Sequence, residues 1–260
     1  MAAAGGSRAT IEPVVVDMSR DAAELRILIC AAIQKAPPMF AVTNYGFEDK
    51  FVKVIGDMRR HYSLEQHTHG DARCVSLALT ELEGGKIESE LHDDLRKLTM
   101  RICDLVMGQE FSQKLDLQQQ QMGGALSLRF YPKRSAESSE ESSNLLGAHV
   151  DGNFMTMLWS DARGLQVPDP SAPIDHNDVA GVGIPTVGTG GVSEMLDQHW
   201  ADVVVPPGSL LVTIGQGWFQ SPAALLGPQV PCPTLHRVSI DGDMPNDRHS
   251  FPFLARIESS

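Results

Sequence analysis

His149, Asp151 and His236 are the residues in this chain whose types and spacing could do chemistry. Two imidazoles and one carboxylate can occupy one face of an octahedral iron(II) ion and leave three positions open to small molecules and oxygen. A single residue separates His149 from Asp151, the interval at which two side chains of a β-strand point to the same face. His236 stands 87 residues beyond His149, so only the fold can bring it alongside. An HxD pair alone says little, because most such pairs fall by chance on surfaces or in cores. Arg248 and Ser250 sharpen the pattern, since they open an apolar run just beyond the late histidine. A planar guanidinium matches a carboxylate, and a serine two residues on shares its strand face. If the five residues converge, they make an oxygen-activating iron site with an anchor for the far carboxylate of a 2-oxo diacid.

The elements that must position these residues can be read in outline. Residues 11–18 read as a strand, and Ser19 is expected to cap a helix running to Gln34, stopped by Pro37-Pro38. Met39–Thr43 reads as a second buried strand. Helical spacing covers 48–65 and 87–120; in the latter, Leu91, Leu95, Leu98, Ile102, Leu105 and Val106 mark one apolar stripe, expected to be core. After Gly123-Gly124 the texture becomes β-like, with runs at 125–131, 148–159, 164–167, 200–205, 209–214, 234–240 and 250–257. Such runs predict a mainly β architecture, a sandwich or jelly roll supported by N-terminal helices. Residues 133–144 are polar and read as a loop, and 168–194, rich in Gly, Pro and Asp, read as a long insertion. A single domain over 1–260 is expected, with a support region at 1–122 and a β core at 123–260.

Composition narrows the partners. A length of 260 residues with 42% hydrophobic and 21% charged content suits one well-cored globular unit. The net charge of -12, without any lysine or arginine run, argues against nucleic acid or an anionic membrane as partner. Cys30, Cys74, Cys103 and Cys232 form no CxxC pair and suggest reduced thiols. The opening MAAAGGSRAT lacks the basic and apolar parts of a secretory signal, and no apolar run approaches the roughly 20 residues of a membrane span. A cytoplasmic monomer is expected, although a transit peptide removed ahead of residue 1 would leave no trace. His67, His69 and Asp71 form a second cluster, but in polar surroundings that suggest a solvated loop; His61, His92, His176 and His199 have no partner pattern and are expected at the surface or in structural roles.

Several segments together resemble the iron(II)/2-oxoglutarate-dependent dioxygenase superfamily, in the branch of isopenicillin N synthase and the plant dioxygenases. IEPVVVDMS resembles its opening strand, APPMFAVTNYGF the segment after the first helix, and ALSLRFYP the strand ahead of the first metal ligand. HVDGNFMTMLW resembles the HxD strand, GLQV the next one, and WADVVVPPGSLLVTIGQ the segment leading to a buried strand with an Ile-Gly turn. TLHRVS and RHSFPF resemble the strands of the distal histidine and the Arg-x-Ser motif.

The resemblance implies a double-stranded β-helix with iron held by His149, Asp151 and His236. It also implies that Arg248, Ser250 and the Tyr131 hydroxyl bind 2-oxoglutarate, with O₂ as the oxidant and ascorbate as a candidate reductant. The implied reaction oxidises an unactivated C–H bond of a small metabolite, by hydroxylation, desaturation or ring closure, with succinate and CO₂ as co-products. Because Asp151 fills the third position, no ligand place is vacated for chloride, and halogenation is disfavoured. Arg129 is a candidate for a substrate carboxylate, such as a carboxylated secondary metabolite or amino acid, with a salt bridge to a neighbouring acid as the alternative. Asn153, Phe154, Trp218 and Phe219 are candidates for the substrate side, or else core. Two other functions stay open: an isopenicillin N synthase-type oxidase that works without 2-oxoglutarate, and a non-catalytic binding protein that retains the fold. The chain departs from the family in three places. The interval between the histidines is long, the 241–247 loop is slightly enlarged, and the sequence ends ten residues after Ser250. The 168–194 insertion or the 133–147 loop is therefore expected to serve as a lid.

Overall fold

A computed structural model describes residues 9–61, 75–78, 86–108, 110–131, 144–171, 200–220, 232–239 and 246–259. The chain begins with β1 (Thr10–Ile11), β2 (Val14–Asp17), α1 (Ala22–Ile33), β3 (Met39–Thr43), α2 (Glu48–His61) and β4 (Val75–Ala78). Two further helices follow, α3 (Lys86–Met107) and α4 (Glu110–Leu117), and then β5 (Gln120–Tyr131). The remainder is β6 (Asn144–His149), β7 (Met155–Ser160), β8 (Leu165–Pro168), β9 (Trp200–Val203), β10 (Leu210–Ile214), α5 (Gly217–Gln220), β11 (His236–Ser239) and β12 (Arg248–Ser259).

The strands form two sheets, a seven-stranded one in the order β2-β3-β10-β7-β12-β5-β4 and a five-stranded one in the order β1-β9-β8-β11-β6. This is the expected jelly roll. The period-two alternation of strand side chains decides which residues meet which layer. From β12, Phe251, Phe253 and Ala255 join the core under the helices, together with Met155, Met157 and Trp159 of β7. Their neighbours Arg248, Ser250, Pro252 and Leu254 of β12, and Thr156 and Leu158 of β7, face the space between the sheets. A smaller apolar cluster of Tyr131, Leu165, Val167, Val203, Leu211 and Val238 closes that space. Burial on both faces explains why these strands read as nearly continuous apolar runs.

α1, α3 and α4 cover the outer face of the large sheet. Leu91, Leu95, Leu98 and Ile102 of the α3 stripe are buried there, with Leu105 and Val106 packed alongside, as core and not as a cofactor site. The helix boundaries differ from expectation where side chains redirect the backbone. Asp17, not the helix, takes the Ser19 hydroxyl at 2.7 Å. Asp21 caps α1 instead, accepting from the backbone N–H groups of Ala23 and Glu24 at 2.9 and 3.1 Å. The expected helix over 87–120 breaks at Gly108, whose φ of +95° is open to glycine and strained for other residues. β5 starts ahead of the predicted 125–131 run, so Gly123-Gly124 lies inside a strand. There a Cβ at Gly124 would press on the Phe253 ring. No helix among the described residues is long and apolar enough to cross a membrane.

Candidate metal centre

β6 and β11 run antiparallel, and their register sets His149 directly opposite His236. The imidazole centroids stand 4.4 Å apart. His149 Nδ1 lies 2.8 Å from the Gly147 carbonyl, and His236 Nδ1 lies 3.0 Å from the Thr234 carbonyl. A carbonyl oxygen only accepts, so each Nδ1 carries a proton and donates it. That fixes the tautomer and leaves both Nε2 lone pairs directed inward. Nε2 of His149 and of His236 are 3.6 and 3.8 Å from the Asp151 carboxylate oxygens. One ligand atom from each of the three residues falls within 4.8 Å of the others. Burial pushes the His236 imidazole below its usual value, outweighing the pull of Asp151, so it stays neutral at pH 7. Lone pairs and a carboxylate converging this closely repel one another unless a proton or a metal cation sits between them. The donor set therefore fits a divalent first-row ion.

Asp151 reaches the centre by a route the two-residue spacing did not reveal. The expected continuous strand over 148–159 is interrupted. β6 ends at His149, β7 starts at Met155, and Asp151 lies in the turn between them. Backbone groups that leave the ladder need other partners, and the residues after β10 supply them. Gln216 N–H donates to the Asp151 carbonyl at 2.7 Å, Gly217 N–H to the Asn153 carbonyl at 2.9 Å, and Gly215 N–H to the Phe154 carbonyl at 3.1 Å. A Cβ on Gly215 would fall on the Asn153 carbonyl oxygen, so this clasp needs glycine. Thr156 Oγ1 then donates to Asp151 Oδ2 at 2.5 Å. Burial works to raise the Asp151 carboxyl, but contacts with His149, His236 and Thr156 outweigh it and hold the group well below the usual carboxylate range.

Three of the substrate-side candidates make their contacts elsewhere. Asn153 turns its amide onto the Met155 carbonyl at 2.6 Å and Thr156 Oγ1 at 3.0 Å, tying the turn together. Phe154 stacks on Trp218 with centroids 4.4 Å apart, inside the helix-side core and away from the metal ligands. Both rings are core because the turn points residue 154 to the opposite face from residue 151. The Phe219 side chain lies outside the described residues.

Arg129, Tyr131, Arg248 and Ser250 do meet in one place. The register sets Arg248 opposite Tyr131 and Ser250 opposite Arg129. All four line the cavity that also contains Asp151, Thr156 and His236. Arg248 is only 1% exposed, which excludes a solvated surface role. Its Nε donates to the Arg163 carbonyl at 2.8 Å and its Nη1 to Ser250 Oγ at 3.4 Å. The guanidinium lies 4.8 Å from the Tyr131 ring centroid. Arg129 forms no salt bridge to a neighbouring acid among the described residues.

Between Arg248 and Ser250, His249 points the other way and holds the strand in place. Its Nδ1 is 2.7 Å from Asp161 Oδ2, and its backbone N–H donates to Asp161 Oδ1 at 2.8 Å. Sequence reasoning missed Asp161, Thr156 and the 215–217 clasp. Only Thr156, five residues after Asp151, had a usable signal: a hydroxyl on the same strand face as the metal-side residues. His92 is structural, its Nε2 lying 3.0 Å from the Gly124 carbonyl. Cys30, Cys103 and Cys232 are free thiols, as expected. The His67, His69 and Asp71 cluster, Cys74, His176 and His199 lie outside the described residues, as do 133–143 and 172–194 of the two expected lid segments.

No family model matches the chain, and no curated protein does. Solved structures do. JOX2, in complex with 2OG, Fe and JA, is 17% identical and superposes with a TM-score of 0.60 over 97% of this chain and 77% of its own. A full-length Neurospora crassa protein in complex with alpha-KG and thymine is 13% identical, with a TM-score of 0.62 over 98% of this chain and 88% of that one. The 2OG-Fe(II) oxygenase family protein from Caulobacter crescentus gives 15% identity and a TM-score of 0.60, covering 96% and 88%. At these identities the likeness is one of fold: the chain has the double-stranded β-helix of 2-oxoglutarate/iron(II) oxygenases.

Proposed function

We propose that this chain is an iron(II)- and 2-oxoglutarate-dependent dioxygenase that oxidises an unactivated C–H bond of a small metabolite. One observation carries the reading. Two inward-facing imidazole nitrogens converge on a carboxylate, and that carboxylate and the His236 imidazole line a cavity with a buried Arg-x-Ser pair. His149, Asp151 and His236 would hold the metal, and Asp151 would offset part of its charge. The guanidinium of Arg248 would take the far carboxylate of 2-oxoglutarate, with Ser250 Oγ and the Tyr131 hydroxyl beside it. When bound, iron(II) with 2-oxoglutarate supplies the oxidising chemistry, in which O₂ and the 2-oxo acid yield succinate, CO₂ and oxidised substrate.

The chain's own residues do the rest. The Gly147 and Thr234 carbonyls hold the Nδ1 protons, so the imidazoles cannot rotate to the wrong nitrogen. Thr156 fixes one carboxylate oxygen of Asp151, and Leu146, Leu158, Leu165 and Val238 keep the wall of the site apolar. A single domain with a support region at 1–122, monomeric and cytoplasmic, with ascorbate as reductant and a role in secondary metabolism, completes the reading.

The test is a turnover screen over small metabolites. Succinate should form only with iron(II) and 2-oxoglutarate together, rise with an accepted substrate, and disappear in His236→Ala. Oxidised product formed without 2-oxoglutarate would refute the proposal.

A further inference from the structure

The Arg129 side chain makes neither a hydrogen bond nor an ion pair with the described residues, yet it faces the cavity and the residue is only partly exposed. A half-buried guanidinium without a partner calls for an anion. The register gives its position along the site. Arg248 pairs with Tyr131, and Ser250, two residues on, pairs with Arg129. Further along β12, Leu254 pairs with Thr156, the residue that holds Asp151. Arg129 therefore stands one pair-step nearer the metal end than Arg248 does.

Formal charge indicates which anion is missing, and this step rests on the function proposed above. Arg248 and Arg129 are positive and Asp151 is negative. A metal dication and a 2-oxo diacid dianion cancel each other. The loaded site then keeps one positive charge in excess, on the arginine that the diacid's far carboxylate does not use. The remaining wall, Leu146, Leu158, Leu165, Val238, Pro252 and Leu254, is apolar. We infer that the substrate is a monocarboxylate with an apolar body, and that Arg129 is the residue that reads its carboxylate. A neutral isostere leaves the guanidinium unpaired and binds less well, which makes Arg129 a specificity-determining residue.

The experiment uses the full chain loaded with manganese(II) and 2-oxoglutarate without O₂, titrated calorimetrically with matched probes. These are 3-phenylpropanoate against 3-phenylpropanamide and octanoate against octanamide. At least one acid should bind about tenfold to a hundredfold more tightly than its amide, as charge-assisted pairing predicts. Arg129→Gln should reduce that preference to about twofold while keeping manganese-dependent 2-oxoglutarate uptake. Arg129→Lys should keep part of the preference, which a merely structural role would not produce. No preference for either acid in the parent protein overturns the inference. So does an Arg129→Gln variant that loses 2-oxoglutarate uptake, which would assign the arginine to the diacid. A parent protein that takes up neither manganese nor 2-oxoglutarate overturns the underlying function as well.

Discussion

Removing the Thr156 hydroxyl tests the centre most directly, because it changes no ligand. Thr156 is 4% exposed and donates to Asp151 Oδ2 at 2.5 Å. Thr156→Val keeps the volume of the side chain and deletes that donor. A hydrogen bond to a charged group contributes about 1.5–3 kcal/mol. At about 1.4 kcal/mol per tenfold, that is a loss of roughly tenfold to a hundredfold in metal affinity, the range typical of residues that orient a ligand from behind. Asn153 also loses one acceptor but keeps the Met155 carbonyl at 2.6 Å, so the stability cost should stay near 1 kcal/mol. The pH dependence has a definite sign. Asp151 is held below the usual carboxylate range, so its contribution is present above that range and lost as pH falls through the lowered value. Without Thr156 the folded value moves back up, and the loss begins at higher pH. Manganese(II) titration calorimetry at pH 7.5, paired with urea unfolding, measures both effects, and Thr156→Ser should restore affinity. A Thr156→Val protein that binds manganese as tightly as the parent, with an unchanged urea midpoint, would show that this hydrogen bond does not orient the ligand.

Three other substitutions separate the parts of the site. Arg248→Lys keeps the charge but loses the planar fork, and should weaken 2-oxoglutarate binding by about tenfold or more while manganese binding without it stays within about twofold; titration calorimetry with each ligand separates the two. Asp161→Ala removes both anchors of His249 and should cost about 2 kcal/mol in urea unfolding. It should also weaken 2-oxoglutarate binding, because the start of β12 carries Arg248 and Ser250. Gly215→Ala sets a Cβ against the Asn153 carbonyl and should destabilise by about 1–3 kcal/mol, with a larger drop in metal affinity than Asp161→Ala causes. Thermal melts with and without manganese distinguish the two.

The candidate site residues were legible because each is polar in a region that is otherwise apolar. A histidine in TLHRVS and an arginine heading RHSFPFLARI are costly to bury without a task, so they stand out from their neighbours. The α3 stripe and the buried run of β10 were legible for the opposite reason, since a face turned to the core must be apolar at every position it buries. Less legible were positions set by competing polar groups. Ser19 carries an ordinary capping signal, but Asp17 takes its hydroxyl and Asp21 does the capping. Asn153 and Phe154, close to the HxD pair, and Trp218, just beyond the Ile-Gly turn, could be read as substrate contacts or as core; a turn reverses the face between residues 151 and 154, and both rings lie in the core.

By itself, the amino-acid sequence determined the donor set, the jelly-roll class and the alternation that sends Arg248, Ser250, Arg129 and Tyr131 to one face. Those follow from residue type and the period of two along a strand, which are local properties. Tertiary structure alone decided how the donors meet. It placed His236 across from His149, used the 215–217 backbone to clasp the Asp151 turn, and set Thr156 behind the carboxylate. It also turned Arg129 into the cavity with no partner among the described residues. Each of these joins residues far apart in sequence, or turns on a backbone hydrogen bond that no residue type announces. Only the folded chain contains them.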